Sequence, residues 1–367
     1  MDISSKKIFK TLNPNKIWIP VVIGLGIVFY LFYSDPDLTA DKLKLIFNAS
    51  VLPLLLALLV IFARDAGYVY RIKTLTNDEL SWNSSIYVII FWEFASAVTP
   101  SIVGGTSVVV FILVKEGIPL GKSLAYVMLT AILDNLFFVL VSPLALLFTS
   151  EQLFPDSKNM EVQLGNSLQV LFVISYVLIA VYTFIMFYAV FIRPRGFKWV
   201  LLKVTSIKFL RRWRQAASSH GEEIMQASAQ LRGKRFSYWS KIIIATFLIW
   251  TARYLMLNCL IAAFTNVTPL EHLLIFCRHL MMWVTMLISP TPGSSGTAEF
   301  FFTQFFTKFL GDYTFVTNIL WRMLSYYPYL ILGAIFLPKW IRRIFFKKKE
   351  EIGIIKVLLV VNAFIIP

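Results

Sequence analysis

Cysteine and histidine are almost missing from this chain: two cysteines, Cys259 and Cys277, and three histidines, His220, His272 and His279, in 367 residues. Both cysteines sit in apolar segments, which excludes a disulfide framework and reads as two small buried hydrophobes. The histidines are scattered, without a His-Glu-x-x-His spacing or any other metal-ligand cluster. No Gly-rich phosphate loop and no dinucleotide-binding turn occurs, so no cofactor and no metal are expected. Acid is scarce too: 20 Asp and Glu stand against 35 Lys and Arg, a net charge of +15. Charged residues together reach only 15%, whereas soluble domains carry about 25%.

What fills the chain instead is apolar: 58% hydrophobic residues and a mean hydropathy of +0.72. Several runs reach the roughly 20 residues that cross a bilayer. The expected class is therefore an all-α, polytopic membrane bundle, one transmembrane domain over 1–367. The excess of basic residues fits membrane-protein loops on the cytoplasmic side better than nucleic-acid binding, since no nucleic-acid motif accompanies it. The Asn-x-Ser matches at Asn48 and Asn83 carry no weight.

Six full spans are expected: Ile17–Tyr33, Leu45–Ala63, Ser123–Phe148, Leu168–Ile192, Ile242–Phe264 and Thr317–Leu337. The first follows Lys6, Lys7, Lys10 and Lys16 and lacks a small-residue cleavage site, so it reads as an uncleaved helix. Two longer apolar regions, Trp82–Val114 and Leu273–Leu310, contain breaks. A short apolar tail, Ile352–Ile366, has no assigned role. Loop charge orients the spans. The basic N-terminus, the Arg64–Lys73 stretch, the connection 193–241 and the Lys339–Lys349 end go inside. The loops around Asp35–Asp41, Glu151–Glu161 and Thr265–His272 go outside. Both termini are then cytoplasmic, in a bacterial inner membrane. Arg64 and Asp65 close the second span at the inner face, with Arg64 as an interfacial anchor. Within 193–241, the basic-apolar mixture Lys198–Trp213 reads either as a helix on the membrane surface or as a solvated connector. Gly221–Arg232 reads as a more water-facing helix.

The breaks carry the functional signal. The first is Thr99-Pro100-Ser101-Ile102-Val103-Gly104-Gly105-Thr106, the second Ser289-Pro290-Thr291-Pro292-Gly293-Ser294-Ser295-Gly296-Thr297, with Glu299 next. Freed backbone groups find no water in lipid, so such breaks persist only inside protein or beside a polar cavity. Parity makes each broken region return to its own side, a re-entrant hairpin. The order span, hairpin, span occurs over about 45–148 and again over about 242–337, with opposite loop charge: an inverted repeat, which points to a transporter's binding site. The alternative is a pair of Pro-kinked helices packed through small residues.

Ionisable residues at membrane depth cost about 2.5–3.5 kcal/mol or more each, so each one needs a reason. Glu93, Asp134, Arg253, Glu299 and Arg322 are the candidate site residues, together with Pro100, Gly104, Gly105, Pro292, Gly293 and Gly296 at the tips. Arg278 and His279 lie at the same depth. Half-helix N-termini at the breaks suit an anion such as a phosphate headgroup. Glu299 reads as either a site carboxylate or a plain cap of its helix.

The stretch Ala97–Gly105, then Leu113-Val114-Lys115-Glu116-Gly117 and a span with Asp134, resembles the first signature of the lysylphosphatidylglycerol synthase transmembrane-region family, also called flippase-like domain proteins. The stretch Ser289–Glu299 followed by Arg322 resembles its P-x-P-G-G-x-G-x-x-E signature and downstream arginine. Ser294 stands where that family has a second glycine. The resemblance runs from about Leu45 to Leu337 and implies a bundle linked to lipid translocation. In the best-known members a cytoplasmic aminoacyl-transfer domain follows; the 367 residues here leave no room for one, so synthase activity is not expected.

The leading expectation is thus a flippase-like protein that moves a phospholipid or lipid-linked headgroup, anionic or aminoacylated, between leaflets. Arg253 and Arg322 would pair with phosphate, and Glu299 with a cationic group or a proton. Two other readings stay open. One is a membrane-embedded lipid-modifying enzyme using Glu299 or Asp134 as base. The other is a scaffold that recruits a cytoplasmic enzyme to the basic loop.

Overall fold

The computed structural model describes residues 33, 39–98, 104–149, 153–155, 164–207, 211, 214–286 and 293–344. Every element among them is helical. A short helix α1 (Ala40–Lys44) and a 3-10 turn (Leu45–Asn48) lead into α2 (Val51–Leu75), α3 (Trp82–Val98), α4 (Gly104–Lys115), α5 (Leu120–Thr149) and α6 (Leu164–Phe187). A π-helical turn (Tyr188–Ile192) extends α6, and α7 (Pro194–Val204) and α8 (Arg214–Arg232) fill the basic connection. Then come α9 (Phe236–Ala262), α10 (Pro269–Met286), α11 (Thr297–Leu310), α12 (Thr314–Ser325) and α13 over 327–344.

Five segments among the described residues are long and apolar enough to span a bilayer: Val51–Leu75, Leu120–Phe148, Leu168–Ile192, Phe236–Ala262 and Thr297–Ile344. Their outer faces suit lipid. On α2, Leu52, Leu55, Leu59 and Phe62 are exposed, and on α6 so are Val173, Val177, Leu178 and Ile185. Such surfaces are a liability in water and ordinary in hydrocarbon. The expected span Ile17–Tyr33 (except Tyr33), the tail Ile352–Ile366, and Pro100 and Pro292 lie outside the described residues.

Two expectations about span ends are corrected. The second span does not close at Ala63: α2 continues to Leu75, and Arg64 and Arg71 are buried at 1% and 3% exposure. Arg64 is therefore an interior residue rather than an interfacial anchor. Hydropathy alone ends a span at its first charge, although a paired charge is accommodated inside a bundle. The last span is not continuous either. It breaks at Tyr326 (φ −129°, ψ −59°), between α12 and α13. Pro328 lacks the N–H an unbroken helix would use, and its ring would strike the carbonyl of Leu324.

Local chemistry sets the helix ends. Ser81 caps α3, its Oγ accepting the Ser84 N–H at 3.1 Å. Asn77 and Asp78, both at positive φ, turn the chain from α2 into α3; these residue types tolerate that backbone. Gly117, at φ +104°, ends α4. The Ile118 N–H reaches back to the Leu113 carbonyl at 3.0 Å in a Schellman arrangement, and Pro119 follows. The glycine of the Lys115-Glu116-Gly117 motif thus has a backbone reason.

Packing follows the same logic. The pair α2–α9 is the most extensive of the fold. Gly67 makes it close, since a Cβ there would lie 2.7 Å from Ile249 Cγ1. One core cluster gathers Phe137, Phe138, Trp250, Tyr254, Phe302 and Trp321 from α5, α9, α11 and α12. A second joins α2, α3, α4 and α5 through Ile72, Phe91, Val109 and Leu129. A third, Phe94, Ala97, Tyr326 and Leu330, ties the first hairpin to α12 and α13.

Glu116, 6% exposed at its side chain, fastens both arms of the first hairpin to α13. It accepts from Ser84 Oγ at 2.6 Å and Trp340 Nε1 at 2.6 Å, and pairs with Arg343. Removing a buried acceptor leaves its donors unsatisfied, about 1–3 kcal/mol. Glu116→Ala should therefore lower the detergent melting temperature clearly, while Glu116→Gln, which keeps one acceptor, should lower it less.

Candidate functional site

The second break meets the end of α3, just ahead of the first. Tyr326, at the α12–α13 interruption, donates its hydroxyl to the Ala97 carbonyl at 3.0 Å, two residues ahead of Thr99. Gly293 opens the described part of the second break. A Cβ added there would lie 2.2 Å from Tyr326 Cε2 and 2.8 Å from the Ala97 oxygen. The backbones of the two hairpins are thus in contact, with a tyrosine wedged beside them. Gly105 does the same within the first hairpin: a Cβ there would fall 2.4 Å from Ser96 Oγ.

The second turn needs unusual backbone. Gly293, Ser294 and Gly296 have φ of 56°, 55° and 83°, where L side chains are strained. The turn then feeds α11: the Ala298 N–H reaches the Ser294 carbonyl at 2.7 Å. Glu299 caps the start of α11 and pairs with Arg322. Its Oε2 accepts the Gly296 N–H at 2.7 Å, and its Oε1 lies 2.8 Å from Arg322 Nε. Arg322, 5% exposed, also donates to the Gly293 carbonyl at 3.3 Å and to Ser295 Oγ at 3.2 Å. Its guanidinium stacks over the Tyr326 ring at 4.0 Å. One arginine therefore gathers the turn, the start of α11 and the α12–α13 break. The Glu299 side chain keeps 33% exposure, so the pair is reachable from outside the protein interior.

A polar ladder leads away from this point along α2. Arg64, Asp65, Tyr68 and Arg71 recur at i, i+1, i+4 and i+7, one helix face. Asp65 accepts from Arg64 at 2.7 Å and from the Tyr329 hydroxyl at 2.8 Å, one turn past Tyr326. Arg253 of α9 pairs with Glu93 of α3 at 3.0 Å and donates to the Tyr68 hydroxyl oxygen at 3.4 Å. Arg71 pairs with Asp134 of α5 and donates to Thr246 Oγ1 at 3.1 Å, while Trp250 Nε1 donates to Asp134 at 2.8 Å. Asp65, Glu93, Asp134 and Arg253 keep 34%, 18%, 19% and 23% side-chain exposure.

The expected site residues are therefore distributed. Glu299, Arg322, Gly293 and Gly296 come together at the second tip, and the end of α3 joins them. Gly104 and Gly105 begin α4 on the first hairpin's far arm. Glu93 with Arg253, and Asp134 with Arg71, occupy successive rungs of the ladder. Arg278 is turned elsewhere, donating to the Phe305 carbonyl at 2.8 Å. His279 is buried against Tyr254, Phe306 and Trp321. Among the described residues no three metal-ligating side chains assemble. Sequence reasoning placed Asp65 at a span end and did not single out Tyr68, Arg71, Tyr326 and Tyr329. The helical register on α2 was the available signal.

Chemically, the arrangement offers a charge-paired arginine beside two interrupted helices, with hydroxyls and helix-start N–H groups around it. That set can exchange an internal carboxylate for an external anion. Among the described residues no activated nucleophile stands beside a base in it.

Comparison with known proteins agrees with this architecture. A "UPF0104 membrane protein" of Archaeoglobus fulgidus is 23% identical over 333 residues, which cover 86% of this chain and 94% of the relative. The family model described as "Lysylphosphatidylglycerol synthase TM region" matches residues 17–333. With five segments long and apolar enough to span a membrane among its described residues, the chain belongs to the lysylphosphatidylglycerol synthase transmembrane-region family.

Proposed function

We propose that this protein carries a phospholipid, or a lipid-linked headgroup, between the leaflets, and that the headgroup binds where the two breaks meet. The observation that carries the reading is Arg322, buried at the second turn where Tyr326 and Gly293 approach the end of α3, and held by a carboxylate that is itself one-third exposed. A phosphate entering the junction competes with Glu299 for the guanidinium through charge-assisted hydrogen bonds. Released, Glu299 can take a cationic group of the headgroup or a proton. The ladder from Asp65 to Asp134 then gives a polar track for the headgroup while the acyl chains stay in lipid.

The element order supports an inverted repeat as part of this reading. A 25-residue helix, arms of 17 and 12 residues, and a 30-residue helix precede the basic connection. A 27-residue helix, arms of 18 and 14 residues, and the interrupted pair α12–α13 follow it. Two copies in opposite orientation would let the junction open to either side by rocking one copy against the other. On loop charge, the basic connection faces the cytoplasm.

The test is leaflet exchange of a headgroup-labelled phospholipid in proteoliposomes. Arg322→Ala removes a charge-assisted contact of about 1.5–3 kcal/mol, so exchange should slow on the order of 10- to 100-fold. Arg322→Lys should retain part of it. Wild-type protein that is folded and exchanges no lipid sinks the reading.

A further inference from the structure

A second group of arginines, sharing no residue with the junction, lies at the end of α6. The span Leu168–Ile192 stops where the next residue is Arg193. A cleft of about 590 Å³ opens there, lined by Arg193 and Arg195 at the start of α7 and by Arg232 at the end of α8, with Ile192, Pro194 and Gly196 between them. All three arginines are exposed. The cleft is large enough for a headgroup with its glycerol, since small-molecule sites run from about 300 to 1,000 Å³. Its depth follows from the sequence: a membrane helix ending at Ile192 places the next few residues among lipid headgroups.

The adjoining helix is built for the same layer. Lys198 holds α7 to α8, pairing with Glu222 at 3.0 Å and lying over Gly221, where a Cβ would come 2.8 Å from Lys198 Cγ. The opposite stripe of α7 exposes Trp199, Val200 and Val204, and Ile207 beyond its end continues it, at 47–59% exposure. These positions fall on one helix face, and Lys203 lies over the Trp199 ring on that face, 4.7 Å from its centroid. An apolar stripe beside a cationic cleft, at headgroup depth, matches a helix lying in the membrane surface.

We infer that Arg193, Arg195 and Arg232 bind the phosphate of an anionic phospholipid resident in the adjoining leaflet, with its acyl chains along α6 and the α7 stripe in the same interface. Three guanidiniums match an anion, and a zwitterionic headgroup would bring an ammonium against them. The bound lipid would bridge α6 and α8. The latter grips α5 through Glu223, whose Oε2 accepts the Gly121 N–H at 2.6 Å. The lipid is a structural partner at this site, separate from the cargo proposed at Arg322.

Native mass spectrometry of the full chain in mild detergent, titrated with phosphatidylglycerol, phosphatidylcholine or inorganic phosphate, tests this. Each surface arginine contributes about 1 kcal/mol to anionic lipid binding. The triple change R193A/R195A/R232A should thus weaken one phosphatidylglycerol site on the order of 100-fold, while R193K/R195K/R232K retains it. Phosphatidylcholine should not saturate this site. Equal melting temperatures without lipid establish that the variants are folded. R322A reports on the junction alone, so loss of either site reads out separately. Phosphatidylglycerol binding unchanged in the triple alanine variant overturns the inference. So does displacement of the lipid by low-millimolar inorganic phosphate, which would mark the cleft as a site for the free ion.

Discussion

Asp134→Leu should destabilise the protein by about 3–5 kcal/mol, the range for removing one partner of a buried ion pair. Arg71 is 3% exposed and cannot shed its proton, and it would keep only the Thr246 hydroxyl and its stacking over Tyr68. The reverse change should be milder. In Arg71→Leu, Asp134 keeps the Trp250 N–H at 2.8 Å and 19% side-chain exposure, so it is not left wholly unsatisfied. The double variant Arg71→Leu/Asp134→Leu should recover most of the loss, because well-packed apolar replacements for a buried pair are often neutral. Thermal unfolding in detergent across this cycle reads the coupling directly. If the double variant melts as low as Asp134→Leu, the pair is not what holds α2 to α5.

Gly293→Ala should have an effect of similar size and a different character. The backbone there sits at φ +56°, which costs an alanine about 1–2 kcal/mol. The new methyl must also displace the Tyr326 ring and the Ala97 carbonyl, and such overpacking adds about 1–3 kcal/mol. Because the clash lies at the junction, the variant should lose lipid exchange even where enough folded protein survives to assay. Ser294→Gly is the matching gain: Ser294 holds φ +55°, and a glycine there should raise stability by about 1 kcal/mol. Melting temperature and exchange rate, measured on both variants, separate strain from function. Unchanged behaviour of Gly293→Ala would mean that the hairpins do not touch as described.

Much of this was legible before any coordinates. Apolar runs of membrane length located α5, α6 and α9 to within a few residues, because hydropathy measures what lipid demands of a helix. The second break with Glu299 and Arg322 stood out because Pro, Gly and charge are all expensive in a membrane. The α2 ladder was hidden because Arg64 and Asp65 look like a span end unless their partners are known. Those partners, Tyr329 for Arg64 and Asp134 for Arg71, lie 265 and 63 positions away in the chain. Tyr326 was hidden for a related reason: its neighbours read as ordinary apolar span, and its partner Ala97 lies 229 positions away in the chain. Pro328 was the local hint.

The central claim is that the meeting point of the two breaks holds a lipid headgroup. The most direct measurement is photo-crosslinking with a phospholipid that carries its reactive group on the headgroup, followed by mass-spectrometric mapping of the adducts. The account predicts adducts in 293–299 and 93–106, strongly reduced in Arg322→Ala and retained in R193A/R195A/R232A. Adducts confined to the lipid-facing surfaces of α2 and α6, the same in wild type and Arg322→Ala, would contradict it.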